Sequence, residues 1–435
     1  MKKLIIFCTA ILMLTCSCQK SPQSSDEERQ YPHYNLSLKI DPETQRINVE
    51  GDLTVNIKKD SIEKPFFYLQ RDLDINSFTI NGENVAIIDT SASDNRFMPT
   101  ARKVYLEKKT LSMKQPVKIH FSYAGKSDDL PDVYANRIGP DWTEIGLYYP
   151  WFPYNPDHYK MFTYKVDVKS KKDYTAFGLG EITKQEDWTT LETTIPTTDI
   201  VVCLSKDVKT YTAAMGQNQL KIFHHGFTDG LLQEMASNIS SSYIYFNKWF
   251  GRKSMDISII DTKREKGGGY ARIGGLVLGG VKAEKYFSNL ERYYRYFAHE
   301  LAHLWWFKAK TTSWEDWLNE SLAEYSALMV LREEFGQETF DRRLENKKQK
   351  SEGTPPIWNF ERNKAEYKIA YKVLYEKGPV LLSDLEQKIG KDKFRKFCQN
   401  LIEKDIHTTE EFLKELESLE GEKTAVWFKG FLKTR

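Results

Sequence analysis

Two histidines four residues apart, with a glutamate after the first, constrain the fold of this chain more than any other feature. They form the run His299-Glu300-Leu301-Ala302-His303. On an α-helix, residues four apart project from nearly the same face, so both imidazoles can bind one metal ion if this segment is helical. The spacing is that of a zinc site, in which Glu300 can act as general base toward a water on the metal.

A catalytic zinc site needs a third protein ligand and one open position. Glu320, in the pair Asn319-Glu320, is the candidate for that ligand, and Glu315 is a less favoured rival. Glu324 lies four residues further on, so on a helix it faces the same way as Glu320. It is our candidate for the carboxylate that orients a metal-binding imidazole from behind. The alternative for Glu324 is a solvated glutamate on the helix surface.

The residues around the motif argue against a chance match. Apolar side chains recur at helical spacing and define one stripe: Leu290, Tyr293, Tyr294, Phe297, Leu301, Leu304 and Trp305. At about 100° per residue, His299 and His303 fall on the side opposite the centre of that stripe. A histidine packed in a core would lie within the stripe, whereas a ligand pair that lines a cleft would lie outside it.

The first 30 residues predict export and lipid attachment. Lys2 and Lys3 precede an apolar run (residues 4–14) that is too short to span a bilayer but suits a signal peptide. The run is followed by Cys16-Ser17-Cys18, which is typical of a bacterial lipoprotein cleavage site. We expect residues 1–18 to be the signal peptide, with a membrane anchor at Cys18, Cys16 as the alternative, and residues 19–30 as a flexible tether. The protein would then lie in the bacterial cell envelope, periplasmic or surface-exposed; an ordinary secreted protein is the other interpretation.

Charge and cysteine content exclude other classes of protein. The formal net charge is +2 and falls to zero without Lys2 and Lys3, so nothing indicates a nucleic-acid partner. Beyond the leader the chain has two cysteines, Cys203 and Cys398, nearly two hundred residues apart. Such a pair is not a disulfide framework, and we predict two buried free thiols.

The pattern of the chain changes near residue 208. From residue 31 to 207, short apolar–polar alternations and turn signals such as Asn81-Gly82 predict a β-sandwich or an open curved sheet. From residue 208 to 435 the spacing is mainly helical, with one short buried strand at 257–260. The fold class is therefore α+β and multidomain. The lysine-rich run 347–350 is predicted to be a solvated face.

With these residues in view, the chain resembles the aminopeptidase-N family of zinc metallopeptidases, peptidase family M1, over about residues 31–432. The first match is the motif helix, which continues as Leu304-Trp305-Trp306. The other matches, in chain order, are Tyr148-Tyr149-Pro150-Trp151-Phe152-Pro153, Trp317-Leu318-Asn319-Glu320 and Tyr375-Glu376-Lys377-Gly378.

The resemblance implies an N-terminal saddle-like β domain (31–207) and a thermolysin-like catalytic domain (208–435), without the helical C-terminal domain of longer members. It also implies a peptidase that acts on peptides with one zinc ion per chain, bound by His299, His303 and Glu320. Glu300 would be the general base, and Tyr375 would stabilise the oxyanion. Removal of N-terminal residues is the mode that the family implies.

Two departures from the family pattern bear on the mode of action. Sixteen residues separate His303 from Glu320, fewer than the family usually has. The family's edge strand carries a glutamate that holds the substrate's amino terminus, and alignment through Gly275 puts Arg272 at that position. Gly269, Arg272, Gly274 and Gly275 are the candidate substrate-binding residues, with a flexible hairpin as the alternative. Because an arginine repels an α-ammonium group, endopeptidase-like cleavage is one alternative, and a non-catalytic peptide-binding lipoprotein is another.

Overall fold

The computed structural model describes residues 31–55, 66–95, 97–107, 116–127, 136–156, 160–264 and 268–434, except for the side chains of Ile88 and Asp89. The predicted leader and tether, residues 1–30, lie outside these ranges. Within them, no helix combines the length and the apolar character needed to cross a membrane.

The N-terminal part consists of strands in three sheets. The largest has eight strands in the order β12-β13-β10-β1-β2-β8-β4-β5, and the two smaller ones have the orders β11-β14-β9 and β3-β7-β6. Inward-facing residues alternate along the strands as predicted, with Leu36 and Leu38 of β1 both buried. Asn81 and Gly82 both have positive φ and form the predicted hairpin turn. The strands are β1 (His33–Asp41), β2 (Arg46–Val55), β3 (Phe66–Gln70), β4 (Leu73–Ile80), β5 (Glu83–Asn84), β6 (Ile87–Ala92), β7 (Ala101–Leu106), β8 (Val117–Lys126), β9 (Thr143–Ile145), β10 (Phe162–Lys169), β11 (Thr175–Gly178), β12 (Glu181–Gln185), β13 (Trp188–Thr197) and β14 (Val202–Ser205).

The C-terminal part begins with a five-stranded mixed sheet in the order β15-β16-β17-β19-β18. Its strands are β15 (Lys209–Met215), β16 (Asn218–His224), β17 (Ile257–Asp261), β18 (Tyr270–Arg272) and β19 (Gly275–Leu278). The sequence patterns predicted only one of these strands, β17. Strand β18 pairs only with β19 among the described residues, so it forms an edge of the sheet.

Helices make up most of the remaining chain, and helix α4 lies at their centre with nearly all its residues buried. A π-helical segment, Lys372–Lys377, joins α6 to α7. The helices are α1 (Asp229–Phe250), α2 (Ala283–Tyr286), α3 (Leu290–Ala302), α4 (Trp317–Phe335), α5 (Gln337–Ser351), α6 (Tyr367–Tyr371), α7 (Gly378–Ile389), α8 (Lys391–Glu403), α9 (Thr409–Glu420) and α10 (Glu422–Leu432).

Each part has its own hydrophobic core, and a third cluster joins them. The joining cluster contains Trp142 and Phe177 from the N-terminal sheets and Phe223 and Tyr270 from the five-stranded sheet. The predicted fold class, a β-rich part followed by a mainly helical part, is confirmed. Cys203 and Cys398 are buried and unpaired, as predicted.

Candidate metal centre and substrate cleft

Helix α3 carries the histidine motif and presents it to a cleft. Its predicted apolar stripe is buried except at Leu290, which is partly buried, and Phe297 and Leu301 are fully inaccessible. The helix ends at Ala302, and His303 is its C-terminal capping residue with helical backbone angles (φ −62°, ψ −13°). The four-residue spacing is therefore kept, and the His299 and His303 rings lie 5.0 Å apart at nearly a right angle.

Three ligand atoms converge at this point. Glu320 Oε2 lies 3.5 Å from His299 Nε2 and 3.5 Å from His303 Nε2. Zinc–ligand bonds of about 2.0–2.1 Å in a tetrahedral arrangement put neighbouring ligand atoms about 3.3 Å apart. Glu320 Oε2 is also buried without a hydrogen-bond partner in the described part of the chain. A metal ion would satisfy this atom, so the residues present fit zinc.

Each histidine has its second ring nitrogen directed away from the metal position. His303 Nδ1 lies 2.9 Å from the Trp306 carbonyl oxygen, so it carries the proton and leaves Nε2 free for a metal. His299 Nδ1 lies 3.0 Å from Glu324 Oε2, although that N–H···O contact is too bent for a full hydrogen bond. Glu324 is fully buried and is therefore not the solvated surface glutamate of the alternative interpretation.

Glu324 belongs to a buried cluster of charges behind the metal centre. Arg295 donates from Nη1 to both of its carboxylate oxygens, and Lys347 Nζ lies 2.6 Å from Oε1. Burial alone would raise the pKa of Glu324, but Arg295 and Lys347 outweigh it and hold the pKa well below its usual value. Lys347 also contacts Glu376 Oε2 at 3.1 Å. The carboxylate that faces His299 therefore stays ionised.

Lys347 corrects one sequence-based expectation. The run 347–350 was predicted to be solvated, and residues 348–350 are exposed, but Lys347 is buried. Its ammonium donates to the Tyr375 carbonyl oxygen at 2.7 Å and to Glu376 Oε2, and it forms an ion pair with Glu324. Helical spacing from Phe340 through Leu344 puts Lys347 on the inward face of α5, a signal that the lysine-rich composition obscured.

Glu300 and Glu320 have opposite electrostatic environments. Burial raises the pKa of Glu300, and the neighbouring His299 and His303 act in the other direction. Burial also acts to raise the pKa of Glu320, but the two neighbouring histidines outweigh it and lower the pKa well below its usual value. One carboxylate is thereby suited to exchanging a proton, and the other is suited to staying charged as a ligand.

Tyr375 reaches the centre from the π-helical segment. Its ring lies 5.4 Å from that of His299 and stacks on Tyr371 at 4.6 Å. Burial, and then the nearby charge of Glu320, hold the pKa of the phenol well above its usual value. Ser321, the neighbour of Glu320, donates to the Leu374 carbonyl oxygen at 2.7 Å. The helix with the third ligand is thus tied to the segment with the tyrosine.

The short connection between the motif and Glu320 is fixed by Asn319. Its side chain accepts from Ala309 N–H at 3.1 Å and donates to the Ala309 carbonyl at 3.0 Å and to Asp316 Oδ1 at 2.8 Å. These bonds hold the loop against the start of α4. Glu315, the rival ligand, instead accepts from the backbone and hydroxyl of Thr409 and does not face the centre.

A cleft of about 410 Å³ opens over the metal centre, and both parts of the chain line it. The C-terminal part contributes the metal-centre residues, Tyr375, and Gly269, Ala271 and Arg272 of the edge-strand region. The N-terminal part contributes Asn95, Phe97, Met98, Leu147, Tyr148, Tyr154, Pro156 and Thr198.

The glycines proposed to bind substrate have different positions. Gly269 lines the cleft, and a Cβ there would lie 2.5 Å from Tyr296 Oη, so a larger residue would require the Tyr296 side chain to shift. Gly274 has φ +87° and forms the turn between β18 and β19. A Cβ on Gly275 would lie 2.3 Å from Leu179 Cδ2. Gly274 and Gly275 are not among the residues that line the cleft, and they serve a turn and close packing instead.

Arg272 is not the bare cation that the sequence suggests. Its Nε donates to Asp199 Oδ2 at 2.7 Å, and its Nη1 donates to the Ala271 carbonyl oxygen. The guanidinium carbon lies 4.6 Å from the Tyr270 ring centre and 5.0 Å from that of Tyr148. Asp199 comes from the N-terminal part, 73 residues away, and no motif in its neighbourhood indicates this contact.

Comparison with known proteins agrees with this geometry. Residues 281–429 match the family model of the peptidase family M1 domain. A search of the curated proteins finds no match. The M1 family is one of zinc metallopeptidases, so the match gives the class of enzyme and the zinc cofactor.

Solved structures of similar fold cover nearly the whole chain. One is an M1 zinc metallopeptidase from Deinococcus radiodurans, with a TM-score of 0.69, 17% identity, and coverage of 93% of this chain and 95% of that one. A mutant from the same organism, bound to a Tyr-Ser-Ala substrate, has a TM-score of 0.66 at 17% identity over the same shares. Native leukotriene A4 hydrolase from Saccharomyces cerevisiae has a TM-score of 0.68 and 17% identity, over 94% of this chain and 69% of that one. Residues 281–429 therefore match the peptidase family M1 domain, and the chain has the fold of M1 zinc metallopeptidases.

Proposed function

We propose that this chain hydrolyses peptide bonds at a zinc ion held by His299, His303 and Glu320. The observation that carries the proposal is the convergence of the two Nε2 atoms on Glu320 Oε2, a buried oxygen without another partner in the described ranges. When bound, zinc supplies Lewis-acid polarisation of the scissile carbonyl and activation of a water molecule.

Glu300 is the proton carrier of the proposed reaction. Its carboxylate takes up the proton that the attacking water loses and delivers it to the nitrogen of the leaving amine. Burial raises its pKa toward the working pH, which favours both uptake and release of the proton. The two histidines oppose this rise, so the residue remains able to act as a base.

Tyr375 is the proposed donor to the carbonyl oxygen as that oxygen gains negative charge. Because its pKa is held well above the ordinary value, the phenol keeps its proton and can donate it in a hydrogen bond. Removal of one such donor commonly lowers kcat by about 10²–10³-fold. Lys347 and Ser321 fix the segment that carries the tyrosine through the carbonyls of Tyr375 and Leu374.

The proposed substrates are peptides. The structurally similar M1 mutant that holds a Tyr-Ser-Ala substrate supports this class. The cleft and its edge strand would accept an extended chain, because an edge strand presents unpaired backbone groups. Removal of N-terminal residues is the mode that the family implies, and endopeptidase-like cleavage is the alternative; both use the same three ligands and the same base.

The test combines zinc content with product mapping. Purified protein is incubated with a set of free and N-acetylated peptides, and the products are identified by mass spectrometry. We expect one zinc per chain and cleavage by the native protein. Glu300→Gln should keep the zinc and lose hydrolysis, whereas Glu284→Gln, an exposed glutamate on α2, should change neither. Bound zinc without cleavage of any peptide would instead favour the peptide-binding protein.

We also propose attachment to the cell envelope through Cys18. The support is the leader pattern alone, since residues 1–30 lie outside the described ranges. We expect the protein to incorporate labelled palmitate, and we expect Cys18→Ala to abolish this labelling while Cys16→Ala keeps it. Labelling that follows Cys16 instead would move the anchor to that residue.

A further inference from the structure

One donor group in the cleft lacks an acceptor. The side chain of Arg272 is 10% exposed, and two of its three nitrogens are engaged, Nε with Asp199 and Nη1 with the Ala271 carbonyl. Its Nη2 has no hydrogen-bond partner among the residues that the structure describes. Arg272 lines the cleft, and the rings of Tyr148 and Tyr270 hold its guanidinium plane. The group is therefore rigid and prepared to donate to something that enters the cleft.

The described lining offers no spare carboxylate for an ammonium group. Its acidic residues are Glu300, Glu320 and Asp316. Glu320 and Glu300 belong to the metal centre, and Asp316 forms an ion pair with Arg362. Asp199 is only 1% exposed and lies behind Arg272. An α-ammonium group of a substrate carries three N–H donors and no acceptor. Near Arg272 it would meet another donor, Nη2, and no free carboxylate of the described lining.

The charge balance at Arg272 also indicates which chemical group of a substrate can bind there. Asp199 neutralises the guanidinium, so an incoming carboxylate gains little net attraction there. A neutral carbonyl oxygen needs only the hydrogen bond, and an extended peptide along β18 carries such oxygens at regular intervals. An amide carbonyl is therefore the group that this position fits best.

We propose that Arg272 determines the substrate class of the proposed peptidase by donating from Nη2 to an amide carbonyl of the substrate. Substrates would run past Arg272 as an amide-linked chain and would not end there in a free α-ammonium group. This inference rests on the proposed peptidase function. Cleavage within peptides, or of N-acylated peptides, follows from it.

The test compares one peptide sequence in three forms: with a free amino terminus, with an N-acetyl group, and N-acetylated with a C-terminal amide. For the native protein we expect kcat/KM for the acetylated form to exceed that for the free form by at least ~10-fold. This ratio corresponds to the hydrogen bond that the acetyl carbonyl accepts and to the cost of removing the ammonium group from water without a partner. A preference for the free amine would overturn the proposal. Dependence on the free carboxylate would also overturn it, because Arg272 would then bind an anion.

Binding to the zinc-loaded Glu300→Gln variant, measured by calorimetry with the same peptides, separates this inference from the proposed function. If no peptide is hydrolysed but the acetylated form binds more tightly, the proposed function fails, and the contact between Arg272 and an amide carbonyl is supported as a binding preference alone. Equal binding of free and acetylated forms would overturn the inference whatever the turnover.

Variants connect the preference to the residue. Arg272→Met should abolish the preference for acetylated peptide, and Arg292→Met, at an exposed arginine of α3, should leave it unchanged. Because Arg272→Met leaves Asp199 buried without its partner, the double variant Asp199→Leu with Arg272→Met removes both charges and should fold. Retention of the native preference in either Arg272 variant would overturn the proposal.

Discussion

Substitution of Lys347 by methionine should destabilise the protein and weaken zinc binding together. The ammonium of Lys347 lies 2.6 Å from Glu324 Oε1, 3.1 Å from Glu376 Oε2 and 2.7 Å from the Tyr375 carbonyl oxygen. Its side chain and that of Glu376 are 8% and 7% exposed, so water cannot replace the contact. Removal of one partner from a buried ion pair costs about 3–5 kcal/mol. Because Arg295 still neutralises Glu324, we expect the lower end, about 3 kcal/mol.

The effect on zinc should come through the carboxylate that faces His299. Loss of a residue that supports a metal-binding histidine typically weakens metal affinity by about 10–100-fold. A tenfold loss of zinc affinity reduces the contribution of saturating zinc to the free energy of unfolding by about 1.4 kcal/mol. Urea unfolding with a chelator and again at a fixed free zinc concentration separates the two effects.

Two matched variants make this test specific. Lys348→Met changes the adjacent, exposed lysine of the same helix and should alter the unfolding free energy by no more than about 0.5 kcal/mol. Lys347→Met with Glu376→Gln removes the carboxylate that is left alone and should recover part of the loss. If Lys347→Met stays within about 1 kcal/mol of Lys348→Met under both conditions, the reasoning from the buried charge cluster is refuted.

Three further predictions concern the same centre. Tyr375→Phe should lower kcat by about 10²-fold or more with unchanged zinc content, and an unchanged kcat would remove the tyrosine from the mechanism. Gly378→Ala puts a Cβ 1.9 Å from Ser321 Oγ, so despite its better helix propensity it should destabilise the protein by about 1–3 kcal/mol, and added Ser321→Gly should restore part of that. In the metal-free protein, burial acts to lower the pKa of His299, but the neighbouring carboxylates of Glu320 and Glu324 outweigh it and raise the pKa to about 9. Zinc must therefore displace a proton at pH 7, its affinity should tighten as the pH rises from 6 to 8, and calorimetry in buffers of different ionisation enthalpy should detect the released proton.

The convergence of His299, His303 and Glu320 could be predicted from the sequence because its geometry is local. Spacing on α3 fixes His299 relative to His303, and the start of α4 supplies Glu320 after a short loop. The buried face of α3 could likewise be predicted, because apolar residues at helical spacing mark the side of a helix that packs against the core. The class of fold followed from the change in periodicity near residue 208.

The surroundings of the centre could not be predicted, because contacts between distant elements set them. Asp199 reaches Arg272 across the two parts of the chain, and nothing in its own neighbourhood distinguishes it from other aspartates. Lys347 lies in a lysine-rich run whose composition indicates solvent, and only the turn of α5 selects the one lysine that points inward. The π-helical segment that carries Tyr375 could not be predicted from the spacing of apolar residues either, because α7 continues directly from it.

The edge strand is held in register by the other half of the molecule. Tyr270 and Arg272, two residues apart on β18, face the same side, and each is tied to a carboxylate of the N-terminal part: Tyr270 Oη to Glu144 at 3.0 Å and Arg272 Nε to Asp199 at 2.7 Å. A slip of one residue would put Ala271 at one of these two positions and Gly269 or Ile273 at the other, and neither side chain could replace the lost hydrogen bond. A peptide that pairs with this strand would inherit its register. The position of the scissile bond along a substrate would then depend on how the two halves are docked. Weakening the contacts between the halves should therefore cause cleavage at several neighbouring bonds before cleavage is lost.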